Sequence, residues 1–257
     1  MRDSPAVSVV TPEEVEAFVR KLPFAVDREG FRRFALGFPR RYLAATTPAD
    51  VVRHFALMES LGAKGVISSV SQESGGLWRL SIVARDRRAL FARIAGALSC
   101  FGMNIVAADA FANANSLVLD TFRFADADGH FDEAGERRRF QVFLEDVVEG
   151  KLDVEAEIAK HPEAAATQSE PLSLEWDDSA HPAFTRLAVA GRDHLGLLHR
   201  IARAISECGL NIEMAYIETP SATVRDEFYL TREGRRLAAA DRGLLEAALQ
   251  RLVNPPG

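Results

Sequence analysis

The sequence predicts an α+β fold, a helical segment followed by two copies of one ββαββα unit. Three observations lead there. Arg85–Ile105, RDRRALFARIAGALSCFGMNI, and Arg192–Ile212, RDHLGLLHRIARAISECGLNI, align without a gap and are identical at 11 of 21 positions. The offset is constant, 193 − 86 = 107 for the aspartates and 211 − 104 = 107 for the asparagines. In each copy a stripe of apolar residues with helical period lies between strand-like runs, and helix-start signals cluster before the first copy.

Residues 1–64 read as helical. Thr11-Pro12-Glu13-Glu14 offers a cap, a proline at the first helical position and acids in the first turn. Thr47-Pro48-Ala49-Asp50 repeats that signal, and the helix after it ends before Gly62. Between them FRRFALGFPRRYL is interrupted by Gly37 and Pro39. The first repeat is assigned to residues 65–150. It has a short edge strand at Gly65–Val70, a strand at Trp78–Ala84, and a helix with Leu90, Phe91, Ile94, Leu98 and Phe101 on one stripe. Gly102 stops that helix. Two strands follow, Asn104–Phe111 and Leu117–Phe124, then a helix at Arg137–Glu149. Residues 151–171, rich in Ala, Glu and Pro, are assigned as a linker. The second repeat, 172–257, has an edge strand at Leu172–Asp177, a strand at Thr185–Ala190, a helix at Leu197–Cys208 stopped by Gly209, strands at Asn211–Glu218 and Thr223–Leu230, and a helix at Leu237–Val253. Aligned at the 107 offset, Leu174 corresponds to Ile67.

Composition narrows the function. In 257 residues, 47% are hydrophobic and 26% charged, as in ordinary globular proteins. The net charge of −6 argues against a dedicated nucleic-acid binder, which needs a basic field. Cys100 and Cys208 do not align in the repeat, so buried free thiols are expected rather than a duplicated disulfide or metal framework. No apolar run approaches the ~18 residues of a membrane helix, and the N-terminus lacks a signal-peptide core. A cytoplasmic protein is expected, with neither membrane nor nucleic acid as partner.

The repeated loop is where chemistry is expected. A strand, a short loop and a helix N-terminus present free N–H groups and a positive dipole end, which suit an anion such as an amino-acid carboxylate. Gly196 lets a ligand approach the second loop closely, whereas Arg88-Ala89 stands at that place in the first. Asn104 and Asn211 follow the helix-stopping glycines and offer amides to a ligand. The candidate ligand residues are therefore Asp193, His194, Leu195, Gly196, Leu197, Leu198, Asn211 and Ile212, with Asp86, Arg87, Arg88, Ala89, Leu90, Asn104 and Ile105 in the other copy. Gly196 and Leu197 are expected to take a carboxylate and Asn211 the amide or ammonium. The competing reading of both loops is a plain structural turn.

Arg-Asp-His-Leu-Gly-Leu-Leu (192–198) with Gly-Leu-Asn-Ile (209–212), and Arg-Asp-Arg-Arg-Ala-Leu-Phe (85–91) with Gly-Met-Asn-Ile (102–105), resemble the ACT domain. This is an amino-acid-sensing module with a ferredoxin-like sheet. Its usual loop is Asp-Arg-Pro-Gly-Leu, and neither copy has the proline. LVLDTFRF (117–124) and TVRDEFYL (223–230) resemble a core strand of that family, and residues 38–253 as a whole resemble the tandem ACT region of PII uridylyltransferase/uridylyl-removing enzymes. The resemblance implies two tandem ferredoxin-like ACT domains, a glutamine-type sensor in nitrogen metabolism, and a homodimer or a partner enzyme.

Catalytic signatures are missing from the sequence. There is no Gly-Ser loop followed by an Asp-x-Asp pair, and none of the six histidines precedes an aspartate. His194 and His199 lie five apart, off the i, i+4 spacing of a helical metal pair, so no metal or cofactor is expected. Asp120 and Asp226 occupy matching places and are read as duplicated surface or interface acids rather than a catalytic pair. A ligand-independent interaction or dimerisation subunit remains the alternative function.

Overall fold

The computed structural model describes residues 9–20, 27–113, 116–160, 171–194, 196–217 and 223–253. Four helices come first, α1 (Pro12–Val19), α2 (Arg28–Ala35), α3 (Arg40–Ala45) and α4 (Pro48–Leu61). Thr11 and Thr47 cap α1 and α4, each with proline in the first turn, and Gly37 and Pro39 separate α2 from α3. The first repeat supplies β1 (Val66–Gln72), β2 (Leu77–Arg85), α5 (Leu90–Cys100), β3 (Asn104–Ala112), β4 (Leu117–Ala125) and α6 (Ala134–Glu149). After α7 (Val154–Ile158) the second supplies β5 (Ser173–Asp177), β6 (Thr185–Arg192), α8 (Leu197–Glu207), β7 (Asn211–Tyr216), β8 (Thr223–Thr231) and α9 (Ala239–Val253). No helix among the described residues is long and apolar enough to cross a membrane.

The strands form one antiparallel sheet in the order β1-β2-β4-β3-β7-β8-β6-β5. Each repeat is thus a four-stranded ferredoxin-like unit with its first strand at the edge. The two units join where β3 pairs with β7, through Ala107↔Tyr216, Ala108↔Ala215 and Asp109↔Met214. At the 107 offset Ala107 corresponds to Met214 and Asp109 to Tyr216, so the first and last pairs exchange and Ala108↔Ala215 maps onto itself. A local pseudo-two-fold axis passes through the seam. Even the β-bulges recur, at Ile105/Ala107 and at Ile212/Met214.

One face of the sheet carries α5, α6, α8 and α9 over a shared core that includes Leu80, Ile82, Phe122, Ile201 and Phe228. Among the described residues the other face is covered where it is apolar. Val83, Phe111 and Leu119 of the first unit pack under Phe31, Phe34, Phe38 and Tyr42 of the helical segment. The corresponding face of the second unit presents Ala190, Arg225 and Glu227, where Glu227 pairs with Arg186 at 3.0 Å. From α3, Arg41 reaches across the seam. It donates to Asp109 at 3.0 Å, to the Ala110 carbonyl at 3.1 Å and to the Glu213 carbonyl, and its guanidinium lies 4.3 Å from the centre of the Phe111 ring.

Three expectations change. The edge strands are equivalent one residue off the 107 offset: Ser68 pairs with Ile82 and Leu174 with the matching Val189. Leu174 therefore packs into the main core, whereas Ile67 faces the helical segment, because a one-residue shift turns a strand over. The linker contains a helix, since Asp153 caps α7 and Val154 and Ile158, one turn apart, are buried. Helix α6 begins three residues earlier than the apolar stripe suggested, and α9 two residues later. Expected turn residues Ala114, Asn115, Pro220 and Ser221 lie outside the described residues.

Between the helical segment and the sheet, His54 is 3% exposed and held by the Tyr42 hydroxyl at 3.2 Å and the Ser81 hydroxyl at 3.3 Å. Burial pushes its imidazole down to about 4. An unfolded chain binds that proton from its ordinary value of 6.5 downward, so stability is lost as pH falls from 6.5 to 4. The loss from this residue reaches up to about 3 kcal/mol. Urea denaturation across that range will show the decline, and His54→Gln will flatten it.

Candidate functional site

Both repeated loops end in a left-handed residue at the helix start: Ala89 has φ 58° before α5 and Gly196 has φ 79° before α8. An alanine thus adopts the glycine conformation, and the missing glycine does not distinguish the loops. Among the described residues no side chain caps α5 or α8, whereas α1, α2, α4 and α7 are capped by Thr11, Asp27, Thr47 and Asp153. Some loop donors are already used. The Leu90 N–H bonds to Arg87 O at 3.2 Å and the Leu197 N–H to His194 O at 3.1 Å. The Ala89 N–H donates to Ser206 Oγ of the other repeat at 3.1 Å. Leu197 is therefore corrected as a carboxylate donor: its amide is spent inside the turn.

Helices α5 and α8 pack side by side behind the seam. His199 sits 2.8 Å from the Ala92 carbonyl, through Nδ1. Gly96 makes room for it, because an added Cβ there would lie 2.9 Å from the imidazole and 2.7 Å from Val154. His199 is a buried packing residue at a helix crossing, separate from the His194 loop.

At each end of this helix pair the seam opens a cavity. The first, of about 190 Å³, is lined by Asp86, Arg87, Ala89 and Leu90 of the first repeat and by Ser206, Asn211 and Ile212 of the second. The second, of about 310 Å³, is lined by Asp193, His194, Gly196, Leu197 and Leu198 of the second repeat and by Ser99, Asn104 and Ile105 of the first. The cavities are related by the pseudo-two-fold, and each joins the loop of one repeat to the strand start of the other. This corrects the grouping expected from sequence: Asn211 stands opposite the first loop, not beside Gly196, and Asn104 opposite the second. Arg88 lies outside both, on a separate cleft with Arg93 and Arg203. Leu195 is outside the described residues.

Each cavity also contains an acid. Asp120 lines the first and Asp226 the second, both 1% exposed. Ile82 faces Asp120 across β2, and the matching Val189 faces Asp226 across β6. They are buried cavity acids, which corrects the surface reading. Asp120 Oδ1 has no hydrogen-bond partner among the described residues. Burial, with Asp86 and Asp109 nearby, pushes its carboxyl up to about 8. A signal was present in sequence. Asp120 is in phase with the inward Val118, Phe122 and Phe124, and Asp226 with Val224, Phe228 and Leu230. In the second cavity, burial lowers His194 below the usual imidazole range and raises Asp193.

This chain is similar to a segment of bifunctional uridylyltransferase/uridylyl-removing enzymes. It is 31% identical over 205 residues to the one from Bradyrhizobium diazoefficiens, covering 76% of the chain and 21% of the relative. It is 32% identical over 218 residues to that of Nitrobacter hamburgensis (80% and 23%) and 30% identical over 228 residues to that of Caulobacter vibrioides (84% and 24%). The chain spans between a fifth and a quarter of the length of these relatives. No protein-family model matches it. A double-ringed trimeric microcompartment shell protein aligns at 10% identity and a TM-score of 0.21, over 74% of this chain and 94% of its own, too low a score to bear on function.

The shared left-handed helix start has a measurable cost. In Gly196→Ala, strain at φ 79° and a Cβ 3.1 Å from Ile158 will lower stability by about 1–2 kcal/mol in urea titrations. The reverse exchange, Ala89→Gly, relieves strain but loosens the unfolded chain, and its net effect will stay within about 0.5 kcal/mol of zero.

Proposed function

We propose that this chain is an amino-acid-binding regulatory module, of the ACT type and glutamine-sensing, without a catalytic site of its own. The observation that carries this reading is the pair of seam cavities, each lined by an uncapped helix start from one repeat and an asparagine from the other. A helix N-terminus suits a carboxylate, and an asparagine amide can both donate to and accept from a ligand amide. Cavities of this size, around or below the roughly 300 Å³ where larger ligand sites begin, suit a molecule as small as an amino acid. Similarity to a segment of uridylyltransferase/uridylyl-removing enzymes supports a role in nitrogen regulation, and the absence from the sequence of a Gly-Ser loop followed by an Asp-x-Asp pair, and of His-Asp motifs, supports a non-catalytic one.

Because both repeats line each cavity, a bound ligand holds the units together at the seam. It acts as a switch by favouring one packing of the units over another. The alternative, an interaction subunit with no ligand, is favoured by the internally satisfied loop donors of Ala89, Leu90 and Leu197.

Calorimetry separates the two readings. The intact protein will bind L-glutamine more tightly than the other nineteen common amino acids. Asn211→Ala, which removes a hydrogen-bonding amide from the first cavity, will weaken binding there by about tenfold. An absence of heat with every amino acid at millimolar concentration eliminates the sensor and leaves the interaction subunit.

A further inference from the structure

The two cavities differ in charge: Glu213 lines only the first, its equivalent being Val106, and the lining loop residues differ in charge at one position. Arg87 of the first corresponds to His194 of the second, 87 + 107 = 194. Burial holds His194 below the usual imidazole range, so at neutral pH the second cavity has a neutral ring where the first has a guanidinium. The first cavity thus has Arg87 at the start of α5, its guanidinium donating to the Glu149 carbonyl at 3.2 Å, and at its buried wall Asp120, whose Oδ1 has no hydrogen-bond partner among the described residues. An isolated buried carboxyl is costly unless something polar meets it. No arginine or lysine is within salt-bridge distance of Asp120 among the described residues.

We infer that the first seam cavity, around the loop without glycine, is the zwitterion site of this protein, with Asp120 as the acceptor of the ligand's ammonium group. The inference rests on the amino-acid reading above and goes further by naming the cavity and the group that selects an amine. The N–H groups of the first turn of α5 beyond Leu90 take the carboxylate, with Arg87 beside them, and Asn211 faces the remainder of the ligand.

Binding then moves a proton. The charged groups lining the cavity with Asp120 are Asp86 and Arg87 from the loop and Glu213 from β7, and Asp109 of β3, paired with Arg41 at 3.0 Å, acts on it from outside the cavity; α5 and α8 contribute Leu90, Phe91, Ala92, Ala202, Ile205 and Ser206. Burial, reinforced by Asp86 and Asp109, keeps that carboxyl protonated at pH 7. An ammonium group beside it reverses that preference, and the carboxyl proton leaves to buffer while the ligand keeps its own. Affinity rises with pH as Asp120 ionises, up to about pH 8, and falls when the ligand amine loses its proton.

The test is titration of the intact protein with L-glutamine at pH 7 in phosphate and in Tris, buffers with different ionisation enthalpies. The expected result is release of close to one proton per ligand. Asp120→Asn, isosteric with the protonated acid and so compatible with folding, will release none and bind about tenfold or more weakly. 4-Carbamoylbutanoate, which is L-glutamine without its amino group, will bind weakly and equally to both proteins. If L-glutamine binds both proteins alike with no proton released, the role of Asp120 is overturned while the amino-acid reading stands. If L-glutamine does not bind, this assignment falls, and the amino-acid reading falls with it only when none of the other nineteen amino acids binds either.

Discussion

The antiparallel pairing of β3 with β7 is the constraint on which the rest of the molecule depends. It involves three residue pairs, Ala107↔Tyr216, Ala108↔Ala215 and Asp109↔Met214. Through them two four-stranded sheets become one, and the pseudo-two-fold at Ala108 and Ala215 brings α5 against α8. So short a ladder is weak alone. The His199 contact to the Ala92 carbonyl holds the helix layer at the crossing, and Arg41 spans the seam on the opposite face. The cavities follow from this symmetry: each loop ends beside the strand start of the other repeat.

The same constraint links the helical segment to the seam. Arg41 contacts β3 and β7 together, and its neighbours Phe38 and Tyr42 are buried against Phe111 and Leu119. A change in how β3 and β7 meet cannot leave Arg41 unmoved. Among the described residues the second unit has no such cover, and its matching face carries Arg225 and Glu227, charged groups that gain nothing from burial.

Much of the fold was legible in the sequence because a duplicated pattern is its own control. The 107 offset located α5 and α8, the glycines that end them, and the asparagines that begin β3 and β7. It failed at β1 and β5, where the spacing to the next strand differs by one residue and Ile67 and Leu174 point to opposite faces. The site was legible as a set of residues but not as a grouping. A repeat says that Gly196 and Asn211 belong to one unit; it does not say that Asn211 will meet Asp86 and Ala89 of the other. Emphasis on glycine also misled, because Ala89 accepts the left-handed conformation that Gly196 holds more cheaply. Asp120 and Asp226 were noticed as a pair, but their inward phase along β4 and β8 carried the more useful information.

Whether a ligand is held between the loop of one repeat and the strand start of the other is read from nuclear Overhauser contacts of bound L-glutamine in isotope-labelled protein. The expected contacts are to Ala89 and Leu90 together with the Asn211 side-chain amide. Contacts joining Ala89 and Leu90 to Asn104 of their own repeat, with Asn211 untouched, would contradict that placement.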